Sequence, residues 1–222
     1  MLRPNANIER FPNLDTLDVA SKEVALNLPS PIPFDEWSLQ LRNLLIRDPN
    51  SIVGEIGIDR SYTINRSRLR CSTDYQLHLF RYQLLLAAEL NRPVSIHCVR
   101  SAGLLVDLFK SISLPEFPPK VMLHSFTGSS DSLKLLLRLP SKGDRLFFSF
   151  SSIINGDRSK SLEVIKAVPD DRLLLESDCA SFPQIESNLI AIMNIISYAK
   201  SWPLSKVAHI TFFNYKSFLN KL

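Results

Sequence analysis

The chain has 222 residues, 45% of them hydrophobic and 22% charged, with a formal net charge of +4, the balance of an ordinary globular protein. A mildly basic pI near 9.0 suits a polyanionic partner without requiring one. Three cysteines without paired spacing (Cys71, Cys98 and Cys179) argue against a disulfide framework, the polar N-terminus against a secretory signal, and the lack of an apolar run of about 18 residues against a transmembrane helix; a soluble protein of the cytoplasm or nucleus is expected.

In chain order, residues 1–22 are polar, carry Pro4 and Pro12, and predict little regular structure. EVALNL (residues 23–28) reads as a short strand stopped by Pro29, Pro31 and Pro33. Residues 1–34 thus form a poorly structured N-terminal segment with one strand, ahead of one continuous domain, 35–222. Asp35 is the expected N-cap of a helix reaching Asp48, with Trp37, Leu41, Leu44 and Leu45 at helical spacing. IVGEIGID then reads as a strand carrying Glu55, and a basic loop with Arg60, Arg66, Arg68 and Arg70 leaves it. A long helix at 74–90 follows. PVSIHCV is a second strand, trailed by a helix at 101–111, and KVMLHSF (120–126) is a third, with a helix from Ser130. LFFSFS (146–151) is a fourth, and a short helix at 159–167 leads to LLLESD (173–178), the fifth. Residues 186–200 and 204–219 are mainly helical.

Strands of about six residues alternating with longer helices predict βα units and a parallel sheet. The regular repeat, and the lack of any G-x-G-x-x-G after a strand, favour an α/β fold of the TIM-type (β/α) barrel over a doubly wound sheet. In such a barrel the functional side chains gather at the carboxyl ends of the strands. Glu55, His97, His124 and Asp178 all lie there, on four different strands. Two carboxylates and two imidazoles make a mixed oxygen and nitrogen donor set suited to zinc, manganese or a similar divalent ion. Each residue also has a plainer reading: a hydrogen-bonded core histidine, or Asp178 as the cap of the next turn. Glu176 is either a supporting group on the same face as Asp178 or the partner of Arg172. Cys98 and Cys179 alternate away from their ligand neighbours and read as packing residues, as do Phe147, Phe148 and Phe150, while His78 and His209 read as surface or core residues.

Taken together, these segments resemble the TatD family of metal-dependent deoxyribonucleases, among the amidohydrolase-like barrels. GEIGID (54–59) resembles the family's G-E-I-G-L-D. PVSIH (93–97), LHSFTGS (123–129) and LLLESD (173–178) follow in its order and spacing, and LSKVAHITFFNYKSFL (204–219) is similar to its closing helices, with Asn214 at a recurrent asparagine. The likeness covers roughly 36–222. It implies that Glu55 bridges two metal ions, that His97 and His124 bind the second, and that Asp178 binds the first and orients the attacking water. The implied reaction is hydrolysis of DNA phosphodiester bonds, on single strands or 3′ ends.

The family begins with a strand carrying His-x-His, whereas the four histidines here are 78, 97, 124 and 209. The barrel is therefore expected to be incomplete at its N-terminus. The first ion would keep only Glu55 and Asp178, and the second Glu55, His97 and His124, so one or two ions (magnesium, manganese or zinc) are expected. Open sheet edges would need cover from the N-terminal residues, a partner chain or upstream sequence. Two alternatives stay open: an impaired barrel serving as a protein-interaction module, and an active enzyme whose biological start lies upstream, the longer chain carrying the missing strand. Val99 stands where the family commonly has an arginine and Arg100 follows, so Arg60 and Arg100 are the candidate phosphate contacts.

Overall fold

The architecture comes from a computed structural model, which describes residues 9–11, 13–156 and 159–219. In chain order the elements are α1 (Val19–Asn27), α2 (Phe34–Arg47), β1 (Val53–Asp59), α3 (Thr73–Glu89), β2 (Val94–Val99), α4 (Ala102–Ser111), β3 (Val121–Leu123), α5 (Ser130–Leu137), β4 (Leu146–Ser151), α6 (Ser152–Asn155), α7 (Ser159–Ala167), β5 (Leu173–Glu176), α8 (Phe182–Lys200) and α9 (Leu204–Phe218). No helix among the described residues is long and apolar enough to cross a membrane.

The five strands form one parallel sheet in the order β1-β2-β3-β4-β5, each paired with its neighbour in sequence. Sequential parallel order with helical crossovers is the wall of a (β/α) barrel. Among the described residues the wall stays open, with β1 and β5 as its outer strands.

Alternation along the strands gives the sheet two faces. One carries Val94, Ile96, Val121, Leu123, Phe148, Phe150 and Leu173, all buried in the main core with the helices. The other changes character along its length. At the amino end Met122, Phe147 and Leu174 pack with Phe218 of α9. At the carboxyl end the same face presents His97, Ser149, Ser151 and Glu176, as the strand register fixes: Gly57 pairs with His97, Ser149 with Leu174 and Ser151 with Glu176. An apolar floor thus supports a polar rim.

Several sequence expectations change. EVALNL lies mostly within α1: Asp18 caps that helix by accepting the Ser21 N–H at 2.8 Å, Ala, Lys, Glu and Leu are good helix formers, and no neighbouring strand is there to pair with. The irregular start expected for 1–22 falls partly on residues 1–8 and 12, outside the described residues, while Leu14–Thr16 is a 3-10 turn. Pro33, not Asp35, holds the N-cap position of α2, and Asp35 and Glu36 sit in its first turn, where the helix dipole favours them. The third and fifth strands are shorter than read, so His124 and Asp178 lie just past their ends. The remaining strands and helices fall close to their expected spans.

The β1 sequence allows unusually close approach to β2. At Gly57, with φ 152°, a Cβ would sit 1.8 Å from the His97 carbonyl oxygen. Gly57→Ala is expected to lower unfolding stability by about 2–4 kcal/mol, whereas Gly103→Ala, with nothing within 4 Å of its Cβ, should be neutral or stabilising by about 0.5 kcal/mol. Urea denaturation of both variants checks the pair; equal stabilities would contradict it.

Candidate active site

The site is built from the end of β1 outward. Between the pairs Val53–Val94 and Ile56–Ile96 the register slips, two β1 residues facing one on β2. The extra residue leaves Glu55 half-exposed at the rim instead of locked in the ladder. Gly54 permits this because a Cβ there would come within 2.7 Å of the Ser95 Cβ. Glu55, Gly57 and Asp59 share one parity, so both carboxylates reach the same face.

Asp59 is fixed through its backbone. The next residue, Arg60, donates its N–H to Val99 on β2, so the Asp59 N–H and carbonyl turn toward the open edge. There the Gln76 carboxamide of α3 takes both, accepting from Asp59 N–H at 2.8 Å and donating to its carbonyl at 3.1 Å. The carboxylate accepts from Ser61 and from the Tyr62 N–H. Burial pushes Asp59 up, but the hydrogen bonds from Ser61, His97 and Tyr62 prevail and hold it below the usual carboxylate range.

Each imidazole spans carboxylates with its two nitrogens. His97 Nδ1 lies 3.1 Å from Glu55 and Nε2 3.2 Å from Asp59. His124 Nδ1 lies 2.8 Å from Glu176 and Nε2 3.1 Å from Asp178, with Glu55 at 3.4 Å. Burial pulls the His124 imidazole down, but its hydrogen bond to Glu176 and the charges of Glu176, Glu55 and Asp178 outweigh that and raise it to about 9. Glu176 is held below its usual range despite burial, by His124 and Ser125.

Behind His124 lies a buried polar mesh. Ser125 sits at φ 38° and donates both its N–H (2.7 Å) and its hydroxyl (2.6 Å) to Glu176. Its hydroxyl also meets that of Ser151, whose N–H is accepted by Asn155, and the Asn155 amide donates to the Phe126 carbonyl. Such a fully partnered network holds the imidazole in one orientation.

Glu55, His97, His124 and Asp178 line one pocket of about 150 Å³, walled by Val99, Thr127 and Ile154. The structure therefore brings the four sequence-derived residues together. Asp178 interacts with His124 rather than capping α8, whose N-cap Ser181 makes no side-chain bond. Glu176 partners His124, while Arg172 pairs with Asp171 at 2.6 Å. Arg60 and Arg100 are exposed at the ends of β1 and β2, outside the pocket lining. Cys98 packs on the core, and burial pushes its thiol up to about 11. The Phe147, Phe148 and Phe150 rings are fully buried, His209 rests on Phe213 and His78 is half-buried on α3. Asp59 was missed by sequence reasoning; its signal was the shared parity with Glu55.

The donor chemistry, two imidazoles with carboxylates at a partly solvated rim, fits a divalent ion. Among the described residues, however, no three His, Cys, Asp or Glu side chains are set to hold an ion together. As placed, the donors are turned onto one another in hydrogen bonds, and ion binding would need them to exchange those bonds for the metal.

Fold and site together define an α/β-barrel protein with a mixed imidazole–carboxylate centre at the carboxyl rim. Residues 27–220 match the family described as TatD related DNase, and the chain belongs to that family. It is 31% identical to the Cut9-interacting protein scn1 of Schizosaccharomyces pombe, over 86% of this chain and 69% of that protein. It is 32% identical to the 3′-5′ ssDNA/RNA exonuclease TatD of Erwinia tasmaniensis, over 64% of this chain and 52% of that one. It is 29% identical to the uncharacterized metal-dependent hydrolase YabD of Bacillus subtilis, over 57% of this chain and 45% of that one. The chain thus spans only about half the length of the latter two relatives. Its fold superposes on the crystal structure of a TatD family hydrolase from Entamoeba histolytica with a TM-score of 0.66, at 20% identity, covering 91% of this chain and 72% of that chain.

Because His124 is raised to about 9 in the folded state, against about 6.5 for an unfolded imidazole, its pairing contributes fully below pH ~6.5 and is lost as pH rises through 9. In EDTA, the melting temperature should fall more steeply between pH 6.5 and 9 for the natural protein than for His124→Gln. Parallel curves by circular dichroism would contradict the assignment.

Proposed function

We propose that this chain is a metal-dependent hydrolase of phosphodiester bonds acting on single-stranded nucleic acid, DNA strands and their 3′ ends foremost. The observation that carries the reading is the meeting of Glu55, His97, His124 and Asp178 in one rim pocket of a chain that belongs to the TatD family. The names of its exonuclease and metal-dependent hydrolase relatives support it.

In this reading Glu55, His97 and His124 hold a divalent ion (magnesium, manganese or zinc), with Asp178 and Glu55 as donors to a second where one binds. A bound ion supplies Lewis-acid polarisation of a phosphoryl oxygen and a water of lowered pKa. The protein's own groups do the rest. Asp178 accepts a hydrogen bond from the attacking water and takes its proton. Asp59 and Glu176 hold the far nitrogens of His97 and His124, presenting the near ones to the pocket. Arg60 and Arg100 reach from strand ends to the phosphates on either side of the scissile bond.

A second reading, a barrel that binds a partner protein, is favoured by one feature. Ala208, Phe212 and Tyr215 form an exposed stripe on α9 beside the outer strand β5, lining with Leu175 and Met193 a groove of about 350 Å³. The name of the fission-yeast relative also points that way.

With manganese, the protein should release nucleotides from an end-labelled single-stranded oligodeoxynucleotide, and EDTA should stop it. Asp178→Asn and His124→Ala should each lower the rate at least about 100-fold while the fold is retained. Cleavage at the natural rate in either variant would contradict the assignment, and its absence from the natural protein would turn the balance to the second reading.

A further inference from the structure

Among the described residues, two aromatic side chains at the site's rim pack in neither hydrophobic cluster. Tyr62 is 66% exposed and Phe182 87% exposed, while the aromatic rings of the strands are buried. Both follow functional residues. Tyr62 lies three positions past the end of β1, and its N–H is held by the Asp59 carboxylate that also meets His97. Phe182 opens α8, four positions past Asp178.

Their strands are the two outer ones. The sheet order therefore places Tyr62 and Phe182 at opposite ends of the carboxyl rim, with the pocket between them. The wall curls between them, so that Glu55 of β1 and Asp178 past β5 both reach His124 Nε2, at 3.4 and 3.1 Å. The surroundings of Tyr62 are basic. Residues 60–73 contain four arginines and no acid. Arg60, Arg68 and Arg70 are exposed, and Arg70 donates to the Arg60 carbonyl at 3.3 Å, which draws the two together at the end of β1. Arg100 is exposed at the end of β2.

We propose that Tyr62 and Phe182 are stacking platforms for unpaired bases, so that the site takes a single-stranded nucleic acid laid across the rim from β1 to β5. This rests on the nucleic-acid reading above and adds to it the residues that select single strands. Exposed rings flanking a catalytic pocket, with guanidinium groups at the β1 and β2 end of the path, are elements of sequence-tolerant single-strand binding. Every base has a π-face, so stacking imposes little base preference. A duplex, whose bases are already stacked on one another, gains nothing from the rings.

The test separates stacking from charge and from catalysis. Binding of fluorescein-labelled oligothymidylate of about 12 nucleotides, of an abasic strand with the same backbone, and of a duplex is measured by anisotropy in EDTA. Oligothymidylate should bind the natural protein about tenfold tighter than the abasic strand. Phe182→Ala and Tyr62→Ala should each remove most of that difference and leave abasic binding unchanged, while Phe182→Tyr and Tyr62→Phe should keep it. Equal affinity for oligothymidylate and abasic strand, alanine variants that bind as the natural protein does, or binding of neither strand would overturn the proposal. Manganese-dependent cleavage, measured separately, judges the hydrolase reading, so either can fail without the other.

Discussion

Four carboxyl groups and two imidazoles from four segments of chain share one rim, and each imidazole nitrogen meets a carboxylate. Gathering so many acidic groups into a half-buried space is unfavourable unless cations, protons or metal ions offset them. In the protein alone the raised His124, hydrogen-bonded to Glu176 through Nδ1 and to Asp178 through Nε2, offsets part of that charge. The local oddities of the fold serve that arrangement: a register slip that frees Glu55, glycines that let β1 close on β2, a left-handed Ser125 that turns its N–H onto Glu176. One proton offsets only part of the charge of four carboxylates, which leaves a cluster that a metal ion can enter by displacing it.

The open wall poses a second physical problem, because an outer parallel strand leaves backbone groups without a ladder partner. Side-chain carboxamides meet part of that need at both ends of the sheet. Gln76 pairs with both backbone groups of Asp59 on β1. Asn214 of α9 donates to the carbonyls of Asp170 and Leu173 at the start of β5. The Gln76 pairing has a consequence for the site, since it anchors the residue whose carboxylate steadies His97. The inner face follows the same economy, with Phe218 covering Met122, Phe147 and Leu174 at one end and leaving the other end to polar groups.

Much of this was legible in the sequence because it follows from short periods. Alternation located the strands, and an ionisable residue near the end of each of four located the pocket. What escaped depends on tertiary context. EVALNL alternates like a strand, yet Asp18 caps it as a helix and, among the described residues, no strand lies beside it. Asp59 belongs to the quoted GEIGID, but its pairing with His97 needs β1 and β2 in register. Gln76, 17 residues from Asp59, reads from sequence as one more position on a helix. Tyr62 and Phe182 look like any aromatic until burial separates them from the rings of β4.

The central claim is that Glu55, His97, His124 and Asp178 act as one divalent-ion site. Titration of the metal-free protein with manganese, followed by calorimetry or by loss of the free-ion paramagnetic resonance signal, tests it most directly. The account predicts saturable binding of at least about one ion per chain, weakened about tenfold or more by Glu55→Gln and by His97→Ala, and unchanged by His78→Ala, outside the pocket lining on α3. Binding indifferent to Glu55 and His97, or no saturable binding by the natural protein, would contradict it.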